Sequence, residues 1–142
     1  MSARFGVFVP QGWKMDLVHI DDPVEQWEAM TEVARVADRE FWDSIWLFDH
    51  FHTVPEPTLN TTFECWTATT ALARDTKRVN VGQMVGCNGY RNPALYAKIS
   101  SSVDVAAARP VVCRHRRRLV RARVEGLRLR VDRDPAPHAG LS

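Results

Sequence analysis

"RVNVGQMVGCNGYRNPALYAK", Arg78–Lys98, contains the change of periodicity that decides how this chain folds. Its first part, Arg78–Gly86, is a short run with valines at close intervals and reads as a buried strand. Asn92 and Pro93 then stand where a helix starts. An Asn side chain satisfies an orphaned first-turn amide, and proline has no amide to leave unsatisfied. The pattern predicts a strand near 79–85 and a helix near 93–105. Together they make one βα unit.

The same unit recurs twice upstream. "RFGVFVPQG" (Arg4–Gly12) is an apolar run closed by proline and glycine, predicting a strand near 4–9. The helix after it, near 23–38, opens with Asp22 as cap, Pro23 in the first turn and Glu25 behind them. Trp27, Met30, Val33, Ala34 and Ala37 recur at helical spacing and form its buried stripe. "DSIWLFDH" (Asp43–His50) predicts a strand near 43–48, and a helix near 61–74 follows, with Thr61 and Glu64 as a capping box. Consecutive βα units imply parallel strands with right-handed crossovers. A closed barrel of such units has eight of them and about 250 residues. The expected fold class is therefore α/β, a partial (β/α)8 barrel of about three amino-terminal units.

Composition divides the chain in two. The 142 residues suit one ordinary domain, and the 45% apolar share is that of a globular protein. No stretch approaches the roughly 20 apolar residues of a membrane span, and the first residues lack the zones of a signal peptide. Cys65, Cys87 and Cys113 have no close spacing and read as reduced thiols in a cytoplasm. Residues 1–104 carry nine Lys and Arg against fourteen Asp and Glu, whereas residues 105–142 carry ten Arg against three acids. Every aromatic residue lies at or before Tyr96. This break predicts an ordered unit over 1–105 and an Arg-rich, disordered tail over 106–142.

Functional groups of parallel α/β folds gather at the carboxyl ends of strands. Asp49, His50 and His52, in "LFDHFHTV", fall there. Three readings stand: a structural Asp49–His50 cap, a metal held by His50 and His52, or a polar pair facing a cofactor. The remaining histidines, His19, His115 and His138, follow no strand, so no metal ligand is assigned and the cofactor reading is favoured. Gly82, Gly86 and Gly89 permit close backbone approach or positive φ where the third strand leaves the sheet. No G-x-G-x-x-G or P-loop spacing is present.

"RFGVFVPQGW", "WDSIWLFDHF", "VGQMVGCNGYRNPALYAK" and "SSVDV" together resemble the amino-terminal part of the bacterial luciferase-like oxidoreductases. The likeness is stronger to the actinobacterial branch that uses the deazaflavin coenzyme F420. It is colinear over about residues 3–105. The resemblance implies a barrel with F420, or alternatively FMN, at its carboxyl face. It implies hydride transfer or monooxygenation on a small-molecule substrate, and a homodimeric parent enzyme. It implies that Asp49 and His50 are the catalytic pair and that Asp49, Met84, Val85 and Gly86 contact the cofactor. A non-proline cis peptide that bulges the third strand behind the isoalloxazine ring would fall at Met84–Val85.

Beyond "SSVDV" the family continues with a glycine turn, a fourth strand, G-x-G-x-G-W-Y-E and E-W-x-A-Y-G-Y. This chain reads "AAARPVVCRHRRRLVRARVEGLRLRVDRD" instead. An arginine cluster of this kind suits a nucleic-acid tail, a charged amphipathic helix, or a shifted reading frame. GC-rich codons for Cys113–Arg133, read one base later, give A-G-T-G-A-G-W-Y-E-R-E-W-K-A-Y-G-Y-E-W-T. Arg114, Arg116 and Arg118 become the three glycines, because CGG followed by C reads GGC. The expectation is a frame break between Val105 and Pro110, no nucleic-acid or membrane partner, and an inactive fragment. Trp13, Trp42 and Trp66 would then face water. An Arg-rich nucleic-acid-binding module on a βα scaffold is one alternative, and a metal-dependent hydrolase using His50 and His52 is another.

Overall fold

Val7, Ile45 and Val81 lie side by side in the register of three parallel strands, β1 (Gly6–Phe8), β2 (Ser44–Leu47) and β3 (Asn80–Cys87). They belong to a computed structural model of the chain, which describes residues 3–108 and 111–116. Three helices connect or follow them: α1 (Pro23–Arg39), α2 (Cys65–Asp75) and α3 (Pro93–Ala107). The result is an open, partial α/β sheet of βα units, as the periodicity predicted. No helix among the described residues is long and apolar enough to cross a membrane.

Packing follows from the helical stripes. Met30, Ala34 and Ala37 of α1, with Cys65, Ala68, Leu72 and Ala73 of α2, bury against Val9, Ile45, Leu47, Val79 and Val81. The alanines let both helices sit close to the sheet, while each buried large aliphatic side chain contributes about 1.5–3 kcal/mol. Trp66 is almost fully buried and packs edge-on against Tyr96, and Trp13 and Trp42 are half-buried. The expectation that these three indoles face water is thus corrected, because Trp13 packs on Phe48 and His50, Trp42 on Phe41 and Trp66 on Tyr96, all supplied by the described units.

Two of the three predicted caps are where the sequence put them. The Asp22 carboxylate accepts from the Val24 amide at 2.9 Å, and Asn92 Oδ1 accepts from the Ala94 amide at 2.8 Å. The second helix starts later than 61. Its cap is Glu64, which accepts from the Thr67 amide at 2.7 Å. Residues 61–63 are drawn out beside the segment after β1, where the Phe63 amide donates to the Gln11 carbonyl at 3.0 Å. A tertiary hydrogen bond thus overrides the local capping box.

The composition boundary at 105 cuts through α3, which runs to Ala107. A fourth strand, β4 (Val112–Arg116), pairs in parallel with β3, giving the sheet order β1-β2-β3-β4. Residues 112–116 of the Arg-rich stretch thus add a strand to the sheet. The reason is that the outer edge of β3 offers unpaired N–H and C=O groups, and main-chain pairing is indifferent to side-chain charge. The rest of the arginine run, 117–142, lies outside the described residues.

At the opposite end of the sheet, the Asp38 carboxylate accepts from the amides of Lys77 (2.9 Å), Arg78 (2.6 Å) and Val79 (2.9 Å). These are charge-assisted bonds that set where β3 begins. Asp38→Ala is expected to lower stability by about 2 kcal/mol, read as a lower urea midpoint at unchanged slope.

Candidate functional site

β2 delivers Asp49 and His50 at its carboxyl end, and the two side chains do different things. Asp49 is buried, its side chain wholly inaccessible. Its Oδ2 accepts from the Cys87 amide at 2.8 Å and from Arg91 Nη1 at 2.6 Å, and its Oδ1 accepts from Arg91 Nη2 at 3.0 Å. Arg91 also donates to Glu64 Oε1. One guanidinium therefore joins the end of β2, the start of α2 and the loop between β3 and α3. Phe51 and Tyr90 stack at 4.1 Å beside it, with Arg91 over the Phe51 ring.

His50 belongs to an aromatic wall instead. Its ring stacks on Trp13 at 3.9 Å and meets Phe48 edge-on at 6.0 Å, while Phe48 stacks on Phe8 at 4.6 Å. Trp13 reaches this position because the segment after β1 is tied to the loop after β2. The buried Gln11 amide donates to the Phe48 carbonyl at 3.1 Å, and its Oε1 accepts from the Phe48 amide at 2.6 Å. The Val54 amide donates to the Trp13 carbonyl at 2.9 Å. Gly12, at φ +89, packs directly under the Thr61 carbonyl.

The third strand supplies the remaining wall. The Met84–Val85 peptide is cis, and the register against β4 slips between Met84 and Gly86. Of the three glycines singled out from the sequence, none has positive φ, and Gly86 is held by a close approach. A Cβ there would run into the Tyr96 hydroxyl, which donates to Gln83 Oε1 at 3.3 Å.

The charges of the site are balanced by geometry. Burial works against the charge on Arg91, yet the hydrogen bonds and charges of Asp49 and Glu64 outweigh it and raise its pKa. Burial likewise pushes Glu64 up, but the amides of Thr67 and Trp66, the Thr67 hydroxyl and Arg91 together hold its carboxyl below the ordinary range. Burial, then the charges of Asp49 and Glu64, push the Cys65 thiol well above its usual value, so it stays protonated and unreactive at neutral pH. The folded Glu64 pKa is the lower one, so its stabilisation is present above the unfolded value of about 4.3 and disappears as pH falls through the folded value. Glu64→Gln is expected to flatten that acid limb of a stability–pH profile measured by denaturation.

His52 does not join His50. Its Nδ1 donates to the Thr53 carbonyl at 2.9 Å. Among the described residues, no group of three or more His, Cys, Asp or Glu side chains gathers as a metal site would.

Sequence reasoning missed Arg91, Gln11 and Trp13. Arg91 had a signal: it is the only charged residue between Arg78 and Lys98. A lone charge in an apolar stretch needs a partner, and Asp49 is that partner.

Residues 3–104 match the model of the family described as luciferase-like monooxygenase. The chain belongs to this family. No curated protein matches it at a significant level. Among solved structures, it is similar to an F420-dependent secondary alcohol dehydrogenase in complex with an F420-acetone adduct (TM-score 0.56, 22% identity over 73% of this chain and 28% of that one). It is also similar to the monooxygenase RslO1 from Streptomyces bottropensis (TM-score 0.70, 16% identity, 92% of this chain and 38% of that one). A third is the oxygenating constituent of 3,6-diketocamphane monooxygenase from Pseudomonas putida, in complex with FMN (TM-score 0.68, 13% identity, 88% of this chain and 32% of that one). The chain thus spans 28% to 38% of the length of these relatives. Among these likenesses are one protein described with F420 and one described with FMN.

Proposed function

We propose that the chain forms the opening βα units of a luciferase-like barrel that works with F420, or alternatively FMN, on a small-molecule substrate, as a homodimer in its parent enzyme. The observation that carries this reading is the juxtaposition, at neighbouring strand ends, of the Asp49–His50 pair with the bulged Met84–Gly86 segment. The residues fit a planar ring. Phe8 and Phe48 stack, Trp13 is tilted against Phe48 to complete an apolar wall, and Phe8 is about half exposed. A bound deazaflavin or flavin supplies hydride or electron chemistry that no side chain provides.

In this reading His50 is the titratable group on the ring-facing wall, and its imidazole holds or moves the proton that accompanies hydride transfer. Asp49 is committed to Arg91 and the Cys87 amide, so its part is to fix the strand ends. Met84, Val85 and Gly86 form the surface behind the ring.

The same reading gives the arginine run an out-of-frame origin, with Arg114, Arg116 and Arg118 standing where the family has the glycines of G-x-G-x-G. Sequencing the gene tests it: the other frame should stay open through the G-x-G-x-G-W-Y-E block, and scattered stop codons there would refute it. Fluorescence titration with F420 and with FMN compares the 142-residue chain with its one-base-corrected form. Tighter cofactor binding by the corrected form, by roughly tenfold or more, is expected, because ring-facing groups must be held within about half an ångström. In the corrected form His50→Ala should lower turnover with little change in unfolding midpoint. Equal affinity in the two forms would count against the frame reading.

A further inference from the structure

Arg91 is a buried charge that the proposed chemistry does not use. Its side chain is 7% exposed, and its donors go to Asp49 and Glu64. The same Asp49 oxygen that takes Nη1 at 2.6 Å also takes the Cys87 amide at 2.8 Å. Cys87 is the last residue of β3, immediately after Gly86 and the slipped register. The β2–β3 register ends at Leu47 and Gln83, so on that side the strand end at Cys87 takes its acceptor from the Asp49 side chain instead. That acceptor is a carboxylate taken wholly out of water, a state it keeps only beside a fixed cation.

We propose that Arg91 is a positioning residue: acting through Asp49, it fixes the Met84–Cys87 end of β3 in the ring-facing wall. The fork geometry matters. Two parallel N–H bonds orient the carboxylate so that Oδ2 faces the Cys87 amide, and a point charge would neutralise Asp49 without aiming it. Glu64, on the outer side of the guanidinium, accepts from Arg91 and from the Thr67 amide rather than from the strand end, so its loss should leave Cys87 held. The inference rests on the proposed cofactor role only for its purpose. The mechanical link stands on the hydrogen bonds joining Arg91, Asp49 and Cys87.

Amide hydrogen exchange of the 142-residue chain, followed by NMR, tests the link without ligand. In Arg91→Met, exchange at Cys87 should rise roughly tenfold or more relative to amides in the middle of β3. Arg91→Lys, which keeps the charge and loses the fork, should recover part of that protection, and Glu64→Gln should leave it unchanged. Asp38→Ala is the control, since it weakens the other end of β3 and should raise exchange across the sheet without singling out Cys87. If Arg91→Met does not fold, Arg91→Lys against wild type reads the same amide. Exchange that rises uniformly across the sheet, or a Cys87 amide indifferent to Arg91, would overturn the proposal. FMN and F420 titrations on the same variants read its consequence: affinity should fall with Cys87 protection and not with Asp38→Ala. A wild-type chain that takes up neither cofactor would count against the cofactor reading alone, because the exchange result is read without one.

Discussion

Arg91→Met is expected to destabilise the chain by about 3–5 kcal/mol, the largest effect of any single polar substitution in the site. The magnitude follows from what remains behind. Asp49 has no exposed side-chain surface, and removing Arg91 takes away two N–H donors and the counterion while leaving the Cys87 amide. An unpaired buried carboxylate must either protonate or draw water into the core, and both choices cost free energy. Replacing both partners should therefore be milder than replacing one. The double variant Asp49→Asn with Arg91→Met is expected to recover a substantial part of the loss, since an amide can still accept from Cys87 without carrying charge. Urea denaturation of the two single variants and the double completes the cycle. A loss below about 1 kcal/mol for Arg91→Met would mean that the pair behaves like an exposed ion pair.

Gly12→Ala is expected to be nearly as damaging, at about 3 kcal/mol, for a reason of shape. Gly12 combines φ +89 with direct contact of its Cα face on the Thr61 carbonyl. Positive φ alone costs an L residue about 1–3 kcal/mol, and the obstacle here is backbone, which cannot rotate aside. The Gly12 amide donates to Asp16 Oδ1 at 3.1 Å and its carbonyl accepts from Met15 at 2.9 Å, so the turn has little freedom to relax. Gly86→Ala provides the contrast. Its new Cβ would meet the end of the Tyr96 side chain, which can shift, so the expected loss is smaller, about 1–2 kcal/mol. The Gly12 substitution should also move Trp13 off His50, changing tryptophan fluorescence, whereas Gly86→Ala should not. A Gly12→Ala chain with wild-type midpoint and emission would contradict the packing described.

Much of this arrangement was legible in one dimension. Strand and helix alternated with clear periods, Asp22 and Asn92 marked helix starts, and the motifs flanking Asp49–His50 and Met84–Gly86 resembled one family. The cis peptide at Met84–Val85, implied by that resemblance, is present. What was misread shares one cause. Thr61 looked like a cap because capping chemistry is local, but Gln11 lies far away in sequence and pulls 61–63 straight. Side-chain composition carried no sign of β4 in the arginine-rich stretch, because that pairing is made by the backbone edge of β3.

Periodicity and capping depend on neighbours within a few residues, so the residue order alone determined the βα units, their parallel sense and the strand end that carries Asp49 and His50. Partnerships across about forty residues leave no such trace. That Arg91 and the Cys87 amide both converge on Asp49, while His50 turns to Trp13, was decided only when separate units packed together. A buried charge must find its counterion wherever the fold brings one within reach, and that distance is a property of the packed sheet rather than of the chain.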